Sequence, residues 1–153
     1  MRAYSKYKQG FFHPNRPQKY NGSKPIIYRS GLELEFMKWA DRYNGILEWG
    51  SESVIIPYVK PTLDPSKTPG IHRYYIDFNF TLKTDKGIQK YIIEVKPFKQ
   101  TQPPKSKANG RSILREQFTY AVNNAKWNAA RAWASKNGYK FGILTEKDLP
   151  KYK

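Results

Sequence analysis

His72-Arg73-Tyr74-Tyr75-Ile76-Asp77-Phe78-Asn79-Phe80-Thr81-Leu82-Lys83, the turn Thr84-Asp85-Lys86-Gly87, and Ile88-Gln89-Lys90-Tyr91-Ile92-Ile93-Glu94-Val95-Lys96 form the run that decides the fold. Both flanks are rich in β-branched and aromatic residues, which suit a pleated, half-buried surface. The link between them is short, polar and ends in glycine, so the two flanks are expected as one antiparallel hairpin, His72–Lys83 with Ile88–Val95.

That hairpin carries charges where a buried strand should have none. Glu94 and Lys96 are two residues apart, so alternation sends both side chains to the same side of the sheet. A carboxylate and an ammonium at the end of an apolar strand are costly unless paired or given work. If Lys83 pairs with Ile88 across the turn, Asp77 falls opposite Glu94, and directly opposed Cβ atoms lie ~5 Å apart. A slip of one residue would turn Asp77 to the other face. Two carboxylates that close repel each other, and a divalent cation relieves the repulsion. Hard oxygen donors select Mg²⁺, with Mn²⁺ able to substitute, over zinc. Such a metal would polarise a phosphodiester, and Lys96 would steady the attacking hydroxide or the charge of the transition state.

Working outward, Ser30 is a good N-cap for a helix whose Leu32, Phe36, Trp39, Ala40 and Tyr43 recur at helical spacing until Asn44-Gly45. Glu33, one turn in, would add a ligand or orient a water at the metal; equally, Ser30-x-x-Glu33 is a capping box, which alone accounts for the glutamate. Short β-like runs follow at Ile46–Trp49 and Ser53–Tyr58. The stretch from Lys60 to Gly70 holds three prolines and reads as a loop. Beyond the hairpin, Pro97–Gly110 is basic and proline-bearing. A long helix is expected from about Ser112 to Asn137. Leu114, Phe118, Ala121, Val122, Ala125, Ala129 and Trp133 would form its apolar face, and Gly138 its C′ residue. A strand at Tyr139–Leu144 closes the order. Residues 1–25, with three prolines and two glycines, read as a basic, extended N-terminal arm preceding a single domain over 26–153. Arg2, Lys6, Lys8, Arg16, Lys19, Lys24 and Arg29 all come before the first acidic residue, Glu33. The arm's Tyr4, Tyr7, Phe11, Phe12 and Tyr20 either stack on bases or pin the arm down.

Composition supplies the class of partner. Among 153 residues, 28 Lys and Arg against 12 Asp and Glu give a net charge of +16. Self-repulsion on that scale points to a polyanion, and nucleic acid is favoured over membrane because no basic amphipathic helix has a broad apolar face. There is no cysteine, which excludes disulfides and thiolate metal sites. Two histidines make a histidine-based metal centre or a Ser/His triad a poor fit. No apolar run approaches the ~20 residues of a membrane helix, and the basic N-terminus lacks the apolar stretch of a signal peptide, so a soluble, intracellular protein is expected. No glycine-rich phosphate loop appears, so no nucleotide cofactor is expected. Neither a helix-turn-helix nor a zinc finger is present, which leaves sequence-specific cutting without support.

At this point the residues resemble a known family. Asp77 followed by Glu94-Val95-Lys96 at the end of an apolar strand, with Glu33 on an upstream helix, is similar to the PD-(D/E)XK nuclease superfamily, with Ile76 where the family name has proline. Closer in detail, several stretches resemble the head-completion nucleases of T4-like tailed phages. They are Tyr28-Arg29-Ser30…Glu33…Phe36-Met37…Asp41, Ile46-Leu47-Glu48-Trp49-Gly50-Ser51-Glu52, Ile56-Pro57-Tyr58, His72–Phe78, Glu94-Val95-Lys96-Pro97, Asn124-Ala125-Lys126-Trp127 and Ile143-Leu144-Thr145-Glu146. The likeness covers about residues 26 to 149; a more distant one is to the end-cleaving nuclease subunit of some transposition systems.

The resemblance implies an α/β, restriction-endonuclease-like αβββαβ core with a mixed central sheet flanked by helices. It also implies a Mg²⁺-dependent DNA endonuclease. Glu33, Asp77, Glu94 and Lys96 would be catalytic, with Asp77, Glu94 and Glu33 on the metal. The substrate would be double-stranded DNA or DNA ends, the further partners phage capsid or portal proteins, and the setting the virion and host cytoplasm. His72, Arg73, Lys99, Lys105, Lys107, Arg111 and Lys126 are the candidate substrate contacts. His72 and Arg73 could equally sit at a loop edge; Gln117, Asn124 and Lys126 could equally lie on a solvated helix face. Glu94 and Lys96 could be a plain same-face ion pair. Two other readings keep the same fold: a non-catalytic DNA- or portal-binding structural virion protein, and a transposon-end or repair nuclease.

Overall fold

The capped, apolar-striped segment after Ser30 forms helix α1, Gly31–Arg42. This computed structural model describes residues 9–105 and 110–149. Around α1 the chain runs β1 (Gly10–Phe11), β2 (Ile27–Tyr28), α1, β3 (Ile46–Ser51), β4 (Ile55–Lys60), β5 (Gly70–Tyr75), β6 (Phe78–Thr84), β7 (Gly87–Val95), α2 (Gly110–Asn137) and β8 (Tyr139–Leu144). The fold is mixed α/β. Its central sheet has the order β3-β6-β7-β8, antiparallel except for the parallel pair β7–β8, and α2 makes the crossover.

The hairpin register is the expected one: Lys83 pairs with Ile88 and Phe78 with Ile93. What differs is the first flank, which is two strands rather than one. At Ile76-Asp77 the chain leaves one ladder and enters another. Ile76 N–H donates to Val54 O at 3.0 Å, and Asp77 O accepts from Glu52 N–H at 3.0 Å. Asp77 is a poor strand former whose side chain competes for backbone donors, here taking Val95 N–H at 2.8 Å. Upstream of the break, β5 pairs with β4 in a separate two-stranded ribbon.

Period-two alternation splits the core in two. Phe78, Phe80, Ile93 and Val95 face α1, meeting Leu32, Phe36, Met37 and Ala40 together with Trp49. Ile92 faces α2, joining Ile56, Tyr58, Tyr74 and Ile76 against Trp127, Ala130 and Ala134. The fully buried stripe of α2 is Asn123, Trp127, Ala130 and Ala134, and Val122, Ala125, Ala129 and Trp133 of the expected face pack half-buried against the same cluster. The N-terminal part of the expected face does not join them: Leu114 is 57% exposed, and Ala121 is exposed too. The first three turns of α2 lie mostly in solvent, with Ile113 and Phe118 half-buried.

The segment before β2 corrects another expectation. Within the described part of residues 1–25, the chain is built into the fold rather than extended from it. Phe12 and Tyr20 pack on Trp49, and Asn15 and Arg16 N–H groups donate to the Asp41 carboxylate at 2.8 and 2.9 Å. Lys19 is buried, and its ammonium donates to the carbonyls of Ala40, Asp41 and Tyr43 at 2.6, 3.1 and 2.9 Å. The first two are orphan acceptors of the last turn of α1, the Tyr43 carbonyl just past it also accepts Ile46 N–H at 3.0 Å, and a cation there suits the helix dipole. Composition alone made this segment look like an arm. Of its aromatics, Tyr4 and Tyr7 lie outside the described residues.

Candidate active site

Asp77 is the last residue before β6, and the β6–β7 ladder carried one step further sets it opposite Glu94. Its carboxylate is tied to the end of β7 by Val95 N–H. Burial first, then the Glu94 charge, then the charge of Glu33, push the Asp77 carboxyl well above the usual carboxylate range, against the pull of the Val95 bond. Glu94 is buried, and one of its oxygens accepts from the Trp127 indole N–H at 2.5 Å. Beside them lies the buried Tyr74 hydroxyl, without a hydrogen-bond partner of good geometry among the described residues. Its ionisation is pushed up by burial and by the charges of Glu94 and Asp77.

Lys96 follows β7 directly. Its N–H closes the parallel pairing by donating to Leu144 O at 2.9 Å, and the residue is half-buried. Among the described residues Arg29 pairs with Glu52 at 2.9 Å, and Glu94 and Lys96 form no salt bridge with each other. A plain same-face ion pair therefore does not account for them.

Glu33 caps its helix, as one of the two readings had it. Its N–H donates to the Ser30 hydroxyl at 3.1 Å, and its carboxylate accepts from Arg29 N–H at 3.2 Å, so the start of α1 is capped from both sides. It also stands close enough for its charge to act on Asp77. Burial pushes Glu33 up, opposed by its bonds to Ser30 and Arg29.

Asp77 and Glu94 each have one oxygen engaged by an N–H, leaving the other for a cation that would offset their mutual repulsion. Among the described residues no group of three His, Cys, Asp or Glu side chains is gathered closely enough to hold a metal. Glu33 therefore does not complete a ligand triad. Two carboxylates suffice for Mg²⁺, which commonly keeps several waters and takes only one or two protein carboxylates. The pair fits.

The candidate substrate contacts separate by position. Lys126 of α2 sits over the rings of Tyr74 and Tyr58, at 5.4 and 5.8 Å from their centroids, and so flanks the Glu94 side of the site. His72 shares the Tyr74 face of β5, with its ring 6.2 Å from that of Tyr58. Arg73 alternates to the outer face of the ribbon. Lys99 is exposed on a short 3₁₀ turn, Phe98–Thr101, which is held near β8 by Phe98 N–H donating to Glu146 at 2.7 Å. Lys105 and Arg111 are exposed near the start of α2, and Lys107 lies outside the described residues. Gln117 is exposed, whereas Asn124 donates to the Tyr120 carbonyl of its own helix at 2.9 Å.

Sequence reasoning missed Trp127 and Tyr74 as neighbours of the carboxylates. A signal existed for Trp127: a lone large donor among Ala125, Ala129 and Ala130 invites a search for its buried acceptor. Tyr74 gave no such signal until the chain break at Ile76-Asp77 was known.

The family model described as TnsA-like endonuclease N terminal matches residues 43–146, which include β3 to β8. The head completion nuclease of Enterobacteria phage T4 is 38% identical over 146 residues, with 92% of each chain covered. No solved structure matches. No helix among the described residues is long and apolar enough to cross a membrane.

Proposed function

Because this chain belongs to the TnsA-like endonuclease N-terminal family, of the PD-(D/E)XK type, we propose that it is a Mg²⁺-dependent DNA endonuclease with a restriction-endonuclease-like core. One observation carries the reading. Two carboxylates, Asp77 and Glu94, meet at the end of a ladder beside a half-buried lysine that neither one neutralises.

Asp77 and Glu94 would hold the cation. Bound there, Mg²⁺ supplies Lewis-acid polarisation of a phosphodiester and lowers the pKa of water, with Mn²⁺ as substitute. Lys96, on the same side as Glu94, offers its ammonium to the attacking oxygen or to the charge that develops on the phosphate. Glu33 acts as an accessory acid, its raised pKa suiting a group that orients a water and accepts its proton. Lys126 and His72 hold the phosphate backbone beside the carboxylates. Lys99, Lys105, Lys107, Arg111 and Arg73 extend that grip by charge alone.

In its biological setting, the similarity to a phage head completion nuclease supports action on DNA ends during head completion, with capsid or portal proteins as partners and the virion and host cytoplasm as location. The test is cleavage of plasmid and linear duplex with Mg²⁺ or Mn²⁺, with DNA binding followed in parallel. Wild type should cut only with metal, while Glu94→Ala and Lys96→Ala bind and do not cut. Wild type that binds plasmid, nicked, flapped and branched DNA yet cuts none of them would make this a non-catalytic DNA-binding protein.

A further inference from the structure

The indole of Trp127 is the element of this site that neither family resemblance nor charge reasoning assigns. It lies at the centre of the buried stripe of α2, 2% exposed, packed among Ile56, Tyr58, Tyr74, Ile76 and Ile92. Its Nε1–H points out of that apolar cluster into the Glu94 carboxylate at 2.5 Å. An indole N–H is a donor only, so it can hold an oxygen of Glu94 but can never compete for a cation. A hydrogen bond to an ionised acceptor is short and roughly twice as strong as a neutral one. Glu94 is buried at the end of β7, and its side chain would otherwise be free to choose among rotamers.

We propose that Trp127 is a positioning residue for the metal-ligating carboxylate: it locks one oxygen of Glu94 so that the other faces Asp77. This inference rests on the assignment of Asp77 and Glu94 as the metal pair. It gives α2 a function that its solvent-exposed first turns do not suggest. The helix is anchored by the residue that orients a ligand, and the preceding residue, Lys126, lies over Tyr74 and Tyr58 on the substrate side. One turn of one helix thus presents a donor to the metal carboxylate and a cation to the DNA backbone.

Trp127→Phe keeps an aromatic ring in the cluster and removes only the donor. Outer-shell partners of metal ligands contribute about 10- to 100-fold in metal affinity or activity. Titration of the DNA-free protein with Mn²⁺, followed by calorimetry, should therefore show binding weakened at least about tenfold in Trp127→Phe.

A second measurement uses the unaltered protein. The assigned Trp127 Nε1–H resonance should shift on Mg²⁺ addition and saturate with the binding isotherm, whereas the Trp49 resonance should stay still. This reading holds even if Trp127→Phe folds poorly. Failure of the two ideas is distinguishable. If Asp77→Ala leaves Mn²⁺ binding unchanged, the metal pair itself is wrong. If Asp77→Ala abolishes binding while Trp127→Phe binds like wild type, or the Trp127 resonance ignores Mg²⁺, the positioning role is overturned.

Discussion

Asp77 is buried beside Glu94, which pushes its carboxyl well above the usual range. A carboxyl whose folded pKa is raised favours folding while it is protonated. That contribution fades as pH climbs from the ordinary carboxylate range through the raised value. With metal removed, the melting temperature should thus fall as pH rises from about 4 toward neutrality, and Glu33, also pushed up by burial, adds in the same direction. Asp77→Asn should flatten that profile and raise the metal-free melting temperature at neutral pH, roughly 3 °C for each kcal/mol of repulsion removed, while abolishing cleavage. Calorimetry in EDTA across the pH range checks it; a lower melting temperature at neutral pH would refute it. Glu33→Gln preserves an acceptor for Arg29 N–H and leaves the Ser30 cap in place. It should therefore cost little stability but slow cleavage by about 10²-fold, whereas a glutamate that served only as a cap would leave the rate unchanged.

At the scale of elements, α1 ends on a borrowed cap. The Lys19 ammonium satisfies the Ala40 and Asp41 carbonyls that the helix leaves open and shares the Tyr43 carbonyl with Ile46 N–H. Lys19→Met keeps the apolar stem and strands those acceptors, so unfolding free energy should drop by about 2 kcal/mol, readable as a shift in the urea midpoint at constant slope. No change would mean that water replaces the ammonium freely. At the other helix, Gly138 closes α2 at φ +75°, a left-handed position that a side chain resists. Gly138→Ala should cost about 1 kcal/mol without altering cleavage, because it lies at the end of α2 away from Trp127. The ribbon of β4 and β5 owes its separate course to the break at Ile76-Asp77.

Across the whole molecule the net charge of +16 is the dominant long-range feature. DNA affinity should fall steeply with salt, because each neutralised phosphate releases counterions. Lys126→Ala should weaken binding to every sequence alike and lower the slope of log affinity against log salt by about one unit. An unchanged slope would remove Lys126 from the interface. Metal should act as a folding ligand as well: at a hundredfold excess over its Kd, Mg²⁺ should add about 2.7 kcal/mol of stability to the DNA-free protein. That gain should be absent in Asp77→Asn.

Local pattern by itself determined a good deal here. Period-two alternation and the Thr84–Gly87 turn set the hairpin register, and with it the meeting of Asp77 and Glu94, since both depend only on near neighbours in the chain. The Ser30 cap, the stop at Asn44-Gly45 and the role of Gly138 were legible for the same reason. Composition pointed to a polyanionic partner because charge sums without regard to fold. Tertiary structure alone decided which stripe of α2 is buried, because that depends on where the ribbon and sheet lie rather than on the helix's own periodicity. It alone brought Trp127 to Glu94, residues from different elements joined by a single hydrogen bond. It also drew Lys19 into the core, where three carbonyls offered more than solvent did, and of the two readings open for Tyr20 it chose the one that pins the segment down, on Trp49.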